Sequence, residues 1–315
     1  MGSAETIPAT FHHEAAFYSG DDEFVERSRG FVEEGLVRDE PVLVMVGARK
    51  VELLREAFGA RADAVQFADM EAVGRNPARI IPAWRRFVAD HAGGGAMRGI
   101  GEPIWDGRSP SELSECQLHE SLINLAFAGA DDFRLICPYD TSTLTQDVIA
   151  EACRSHPVLS REGTEDVSHD YCGIDRVAAG FAEPLPESPP DAEELSVTTR
   201  ALRDARRLVR ARALEAGLGE RADDFALAVN EVLSNSLHHA QEDGILRVWQ
   251  EADGLVCEVR DGGHIAQPLI GREEPSIGQI GGHGIWLVNL VCDLVQVRSS
   301  AFGSTIRMQM NLPLN

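Results

Sequence analysis

Glu231, Asn235 and His239 recur at i, i+4 and i+8 within Glu231-Val-Leu-Ser-Asn235-Ser-Leu-His-His239. On a helix of about 3.6 residues per turn they form one polar stripe, while Phe225, Val229, Val232 and Ser236 face elsewhere. Two segments follow in order, Asp261-Gly-Gly263 and Gly281-Gly-His-Gly284. Binding a magnesium nucleotide takes an oxygen ligand for the metal, backbone donors for phosphate and a group that reads the base. The three segments supply one each. The Asn235 carboxamide suits an octahedral Mg2+ shell completed by phosphate oxygens and waters. Glu231, one turn away, is placed to orient an acceptor hydroxyl and take its proton, typically worth about 10²- to 10⁴-fold in rate. Asp261, at the end of an alternating strand, is expected to be buried and to accept from an exocyclic amine. Such a charge-assisted bond is worth on the order of 1.5–3 kcal/mol and favours adenine over guanine, which presents a carbonyl there. Gly263 permits close backbone approach, and Gly281, Gly282 and Gly284 lead into a helix whose first amides can hold phosphates. The loop over 265–280 is expected to close as a lid. Alone, an ExxxN pattern is ordinarily a solvated helix face and a glycine run a turn; the argument rests on all three in order.

These residues sit in a chain of 315 with 29 basic and 51 acidic side chains, a formal charge of −22. The only basic cluster is the short arginine run over 206–212, so neither direct nucleic-acid binding nor an anionic membrane surface is expected, and basic protein partners suit the chain better. No signal-like or bilayer-spanning apolar run is present, which reads as cytoplasmic. Six cysteines without CxxC pairs suit reduced core thiols. Prolines and carboxylates over 182–194 favour extended chain. The expected organisation is therefore 1–180, a linker over 181–195, and 196–315. Upstream, strands over 41–47, 64–67 and 133–137 alternate with helices over 49–58, 77–91, 109–127 and 144–154, an α/β domain with a mainly parallel sheet. Downstream, helices over 196–216 and 222–240 precede strands over 245–251 and 255–260, a helix over 285–292 and a hairpin over 294–299 and 305–312. That order predicts an α+β sandwich with helices on one face of a mixed sheet.

Over about residues 195–314 the chain resembles the anti-sigma-factor serine kinases of the GHKL ATPase superfamily. Glu231, Asn235 and His239-Ala240 match the N-box, Asp261 and Gly263 the first glycine box, Gly282-His283-Gly284 the second, and Gly303-Ser304-Thr305 the element ahead of the last strand. The resemblance implies a Bergerat ATP fold, ATP with Mg2+, a homodimer, and two protein partners: a sigma factor to sequester and a STAS-type anti-sigma-factor antagonist to phosphorylate on serine. It adds His239, Gly282, His283 and Thr305 to the expected nucleotide contacts. The family's first glycine box usually carries a second glycine where this chain has Ile265, and the position of His283 is often arginine. Weaker phosphate contact or lid closure is the expected consequence, with nucleotide affinity falling as pH removes any charge on His283. Sensor histidine kinases share this ATP fold but need a phosphoacceptor histidine in a helical hairpin just upstream. Residues 182–216 contain none; the exposed-type spacing of Arg203, Arg207 and Arg210 marks a solvated or partner-facing helix instead. A non-catalytic switch that uses ATP only to shape a partner-binding face is the other reading.

Over about 11–160 the chain resembles the methanogen/methylotroph, DcmR-type sensory (MEDS) domain, through His12-His13-Glu-Ala-Ala-Phe-Tyr18, Gly101-Glu-Pro-Ile-Trp105, Glu120-Ser-Leu-Ile-Asn124, Cys137-Pro-Tyr-Asp140 and His156-Pro157. The resemblance implies a small-molecule sensor on a RecA-like core without a functional phosphate loop. Consistent with that, Val46-Gly-Ala-Arg-Lys50 follows the first expected strand without a GxxxxGK[ST] pattern, and no ATP hydrolysis is expected here. His12, Trp105, Glu120, Asn124, Tyr139 and Asp140 are the pocket candidates, although Trp105 and Tyr139 also suit core aromatics. Cys116-x2-His119 and Cys153-x2-His156 have metal-ligand spacing; core cysteines and capping histidines explain them equally simply.

Overall fold

The computed structural model describes residues 11–130, 132–198, 200–239, 244–275 and 283–313. The chain divides into two compact units, Met1–Val177 and Ala178–Asn315.

The first unit runs β1 (His12–Tyr18), α1 (Gly20–Val37), β2 (Val42–Val46), α2 (Ala48–Phe58), β3 (Gln66–Asp69), α3 (Met70–Val73) and α4 (Ile80–Asp90). It continues with β4 (Met97–Gly101), α5 (Pro110–Ala126), β5 (Phe133–Asp140), α6 (Gln146–Ser155), β6 (Val158–Arg161), β7 (Thr164–Val167) and α7 (Gly173–Ala182). The sheet order is β3-β2-β4-β5-β1-β6-β7, parallel except for the antiparallel edge strand β7. Strand β2 is buried along its whole length because helices cover both faces, which is why it reads as an unbroken apolar run. Helices α1 and α2 pack on Val42, Val44, Val46 and Ile136. The other face carries α5, whose start is set by a capping box: Ser109 Oγ accepts from Glu112 N–H, and Glu112 returns a carboxylate to Ser109 N–H, ahead of Pro110.

Strand β1 corrects the expected order. Its polar opening, His12-His13-Glu14, hides a strand that lies between β5 and β6 near the sheet centre. The first strand-to-helix connection is therefore Ser19-Gly20, and α1 begins with Asp21, Asp22 and Glu23. The first turn of α1 thus presents carboxylates, which repel phosphate.

In the second unit, β8 (Glu193–Val197), α8 (Leu202–Ala216), α9 (Arg221–His239), β9 (Gly244–Gln250) and β10 (Gly254–Asp261) precede α10 (His283–Val291), β11 (Leu294–Ser300) and β12 (Gly303–Asn311). The sheet order β11-β12-β10-β9-β8 is antiparallel at every pairing, not mixed as expected; short hairpins at 251–253 and 301–302 require this of β9–β10 and β11–β12. Phe225, Val229 and Val232 of α9 bury against Leu246, Cys257, Val259, Ile306 and Met308 of the sheet. The helix expected from 196 begins only at Leu202. Residues 193–197 instead add an edge strand whose Glu194 pairs with Arg247 at 3.0 Å. The preceding proline-rich segment is docked rather than loose. Leu185 is buried, the Pro186 carbonyl accepts from Arg307 at 2.6 Å, and Glu187 lies 3.5 Å from Arg260.

Candidate functional site

Helix α9 turns Phe225, Val229, Val232 and Ser236 inward and leaves Glu231 and Asn235 half-buried on an adjoining edge. Asn235 faces the N-terminus of α10: a Cβ on Gly284 would lie 2.7 Å from Asn235 Nδ2. Only a glycine lets the first turn of α10 come this close to the carboxamide. Asp261 ends β10. Its Oδ1 accepts from Gly263 N–H at 2.8 Å and from the Ser304 hydroxyl at 2.8 Å, leaving Oδ2 with no assigned partner among the described residues. Asp261 is half-buried rather than buried, because it sits at the strand end. It lies close under α9, since a Cβ on Gly244 would fall 2.8 Å from Ser236 Oγ and 3.6 Å from Asp261 Cβ. Gly303 has φ +124°, and a Cβ there would sit 2.2 Å from the Asp261 carbonyl oxygen. The structure thus brings Asn235, Gly284, Asp261 and Gly263 to one end of the sheet, with Glu231 one turn from Asn235.

Thr305 is placed otherwise. Alternation along β12 sends Ser304, Ile306 and Met308 inward and Thr305 outward, in register with Arg260 and Arg298. Ser304 is the residue of that element that meets Asp261, and the apolar period of Ile306, Met308 and Met310 was the signal that could have singled it out. His283 is exposed at the first position of α10. Gly281, Gly282 and the side chain of His239 lie outside the described residues. Of the expected lid, the described part is anchored. Ile265 and Ile270 pack on the core, Ile265 N–H donates to Ser299 Oγ at 2.9 Å, and Asn289 Nδ2 donates to the Gly271 carbonyl at 2.9 Å.

A second cluster of chemistry lies under α5 in the first unit. Burying ionisable groups is costly unless they are paired, yet α5 turns Glu120 wholly inward. Glu120 is a hub. Oε1 accepts from the Tyr139 hydroxyl at 3.3 Å; Oε2 lies 3.5 Å from Cys137 Sγ, 3.2 Å from His13 Nε2 and 3.5 Å from His156 Nε2. Burial works to raise the Glu120 carboxyl, but the adjoining His13 and His156 hold it well below the usual range. Burial, reinforced by the neighbouring His156, lowers His13 to about 4. The Cys137 thiol is pushed up by burial and then by Glu120.

Of the six pocket candidates, Glu120, Asn124 and Tyr139 converge here. His12 is on the opposite face of β1, 3.1 Å from Glu14 and 3.5 Å from Arg134; Asp140 accepts from Ser142 N–H at 2.9 Å; Trp105 stacks on the Arg108 guanidinium. His13, Cys137 and His156 complete the cluster. Strand alternation separates His13 from His12, a signal readable once β1 is recognised as a strand. The spacing-based quartet does not form: the Cys116 thiol donates to the Pro103 carbonyl, Cys153 lies by Arg161, and only His156 joins a ligand group among the described residues. At the carboxyl ends of β1 and β4, Glu102 accepts from Tyr18 at 2.7 Å and from Lys50 at 2.5 Å. Lys50 is thus engaged with an internal carboxylate.

Comparison with known families agrees with this division. Residues 12–157 match the family described as the methanogen/methylotroph, DcmR sensory domain (MEDS), and residues 195–310 match the histidine kinase-like ATPase domain. The chain carries a MEDS domain followed by an ATPase domain of the GHKL type. Among solved structures it is similar to the RsbU and RsbW domains of Rv1364c from Mycobacterium tuberculosis, at 16% identity with a TM-score of 0.30. That similarity covers 41% of this chain and 34% of the other, so this chain spans about a third of that one. No curated protein matches the chain significantly. No helix among the described residues is long and apolar enough to cross a membrane.

Proposed function

We propose that the protein is an anti-sigma factor and ATP-dependent serine kinase, regulated by a small-molecule signal at its RecA-like sensory half. It would sequester a sigma factor and phosphorylate a STAS-type antagonist, working as a homodimer in the cytoplasm. The observation that carries this reading is the seating of the Asn235 carboxamide against Gly284 at the start of α10, one helical turn from Glu231. The residues present fit a magnesium nucleotide: a neutral oxygen ligand, a helix N-terminus opened by a glycine, and a carboxylate whose Oδ1 is already held. Magnesium supplies charge neutralisation at the phosphates when bound.

Each residue has a role under this reading. Asn235 ligates Mg2+, and Asp261 reads the adenine amine, held in place by Gly263 and Ser304. The first amides of α10, with Gly282, His283 and Gly284, receive phosphate, His239 is a further nucleotide contact, and Ser304 takes the place expected of Thr305 by holding Asp261. Glu231 accepts the proton of the acceptor serine as its oxygen bonds to the terminal phosphorus and ADP departs. Ile265, anchored through Ser299, favours one competing reading, a non-catalytic ATP-gated binding switch with a stiffened lid.

One experiment separates the two. The full chain is incubated with labelled ATP, Mg2+ and candidate antagonists, and the label is followed. Kinase action places acid-stable phosphate on the antagonist; Glu231→Ala loses at least 100-fold in transfer rate while retaining nucleotide and partner binding. ATP-dependent partner capture without any transfer establishes the switch. Acid-labile label on the protein itself means histidine phosphotransfer and overturns both.

A further inference from the structure

We propose that His13, Glu120, Cys137 and His156 form a four-ligand site for a transition-metal cation of the zinc class, an assignment independent of the kinase reading. Its first support is the direction of the lone pairs. Asn124 Nδ2 donates to the carbonyls of Glu120 at 3.1 Å and Ser155 at 2.8 Å, so its Oδ1 is an acceptor, and His13 Nδ1, 3.0 Å away, carries the hydrogen. His156 Nδ1 lies 2.9 Å from the Ala152 carbonyl and therefore also carries one. Both neutral rings then aim unprotonated Nε2 atoms at Glu120 Oε2. Outer partners that fix imidazole tautomers in this way are the usual support of metal-bound histidines.

Protons alone leave one nitrogen of the cluster without a hydrogen bond, even though the Cys137 thiol can donate to His13 Nε2 at 3.4 Å. One added proton can join His13 Nε2 to Glu120 Oε2, but His156 Nε2 is buried and has no hydrogen-bond partner among the described residues. Its ring lies 4.0 Å from that of His13, so a second cation there would face the first at close range in an apolar interior. A single divalent ion meets every lone pair at once. With the Glu120 carboxylate and the Cys137 thiolate it makes a neutral buried centre, the thiol proton passing to solvent on binding.

The spacing agrees with that chemistry. Ligands at about 2.0–2.3 Å in a tetrahedron lie about 3.3–3.8 Å from one another. His13 Nε2 is 3.2 Å from Glu120 Oε2 and 3.4 Å from Cys137 Sγ; Oε2 is 3.5 Å from both Cys137 Sγ and His156 Nε2. All four donor atoms fall within 4.8 Å of one another. Two imidazoles and a thiolate select against magnesium and calcium, which prefer oxygen shells. Four protein ligands leave no position for water, which makes the ion structural or regulatory rather than catalytic. It would tie β1, α5, β5 and the residue after α6 together.

The test uses the full chain, purified without chelator for metal analysis, then stripped and titrated with Co2+ and Zn2+. About one zinc-class equivalent per chain is expected, together with the intense visible bands of tetrahedral cobalt and a thiolate-to-cobalt charge-transfer band. Cys137→Ser should abolish the charge-transfer band, and Cys116→Ser should keep it. Glu120→Gln should weaken Co2+ at least tenfold, with circular dichroism confirming its fold. Absence of tetrahedral cobalt bands in the stripped wild-type chain, or a charge-transfer band that survives Cys137→Ser, overturns the site; the wild-type titration decides the matter even if a variant fails to fold.

Discussion

The contact between Gly284 and Asn235 makes a prediction that a purely structural glycine would not. A methyl group added at Gly284 enters the space of Asn235 Nδ2, 2.7 Å away, and must displace either the carboxamide or the first turn of α10. Gly284→Ala should therefore weaken Mg-ATP about tenfold or more, about 1.4 kcal/mol, with little change in the urea midpoint of the free protein. Titration calorimetry beside urea unfolding distinguishes this from general damage, and equal loss in both would remove Asn235 from the nucleotide site. A second residue-scale prediction concerns Glu102. Burial raises its carboxyl above the ordinary range although Lys50 opposes the shift. A raised folded value means the native state holds this proton more tightly than the unfolded chain. Its contribution to stability is thus present below the unfolded pKa and is lost as pH rises through the folded one. Relative to Glu102→Gln, the wild type should lose stability in urea as pH rises above the ordinary carboxylate range. The opposite slope would show that the Lys50 pair outweighs desolvation.

Elements decide how these residues come to be neighbours. The tight approach of β12 to the end of β10 depends on Gly303, whose φ of +124° and lack of a Cβ accommodate the Asp261 carbonyl. Gly303→Ala should cost about 1–3 kcal/mol from the backbone strain and shift the urea midpoint without changing the slope. Adenine-nucleotide affinity should fall with it, since the same turn holds Ser304 against Asp261. Much of this architecture was legible in the sequence. The helical stripe of Glu231 and Asn235 and the apolar runs of β2 and β5 carry their periods openly, because each element there meets a simple boundary between core and solvent. Strand β1 was not legible, because its buried face carries His13 and its start is charged. The period that normally marks a strand is absent where polar groups are buried for chemistry. The edge strand β8 was hidden for a different reason: Glu193, Glu194 and Ser196 are exposed, and its pairing depends on β9, some 50 residues away. Asp261 was read as buried because alternation locates a face but not the point at which a strand emerges from the core.

At the scale of the whole molecule, two units with separate hydrophobic cores should be separable by heat. Scanning calorimetry of the full chain is expected to resolve two transitions. Mg-ATP at 100 times its dissociation constant adds about 2.7 kcal/mol to whatever binds it, roughly 10 °C at this domain size. That shift belongs to the transition of the ATPase domain. The proposed regulation adds a stricter requirement, because coupling between sites is reciprocal. A signal that changes ATP affinity through the sensory half by about 1–3 kcal/mol obliges ATP to change the affinity of the sensory half for that signal by the same amount. With the signal unidentified, the measurable version is the free chain with and without nucleotide. A sensory transition that moves by several degrees on adding Mg-ATP establishes that the two units communicate, and its direction shows whether the ATP-loaded form favours the ordered or the loosened sensory domain. A sensory transition that stays fixed while the other rises means the free sensory half exerts no bias on the nucleotide site. Regulation would then have to reside in the signal-bound form of the sensory half or in protein partners, among which the −22 charge of the chain favours basic surfaces.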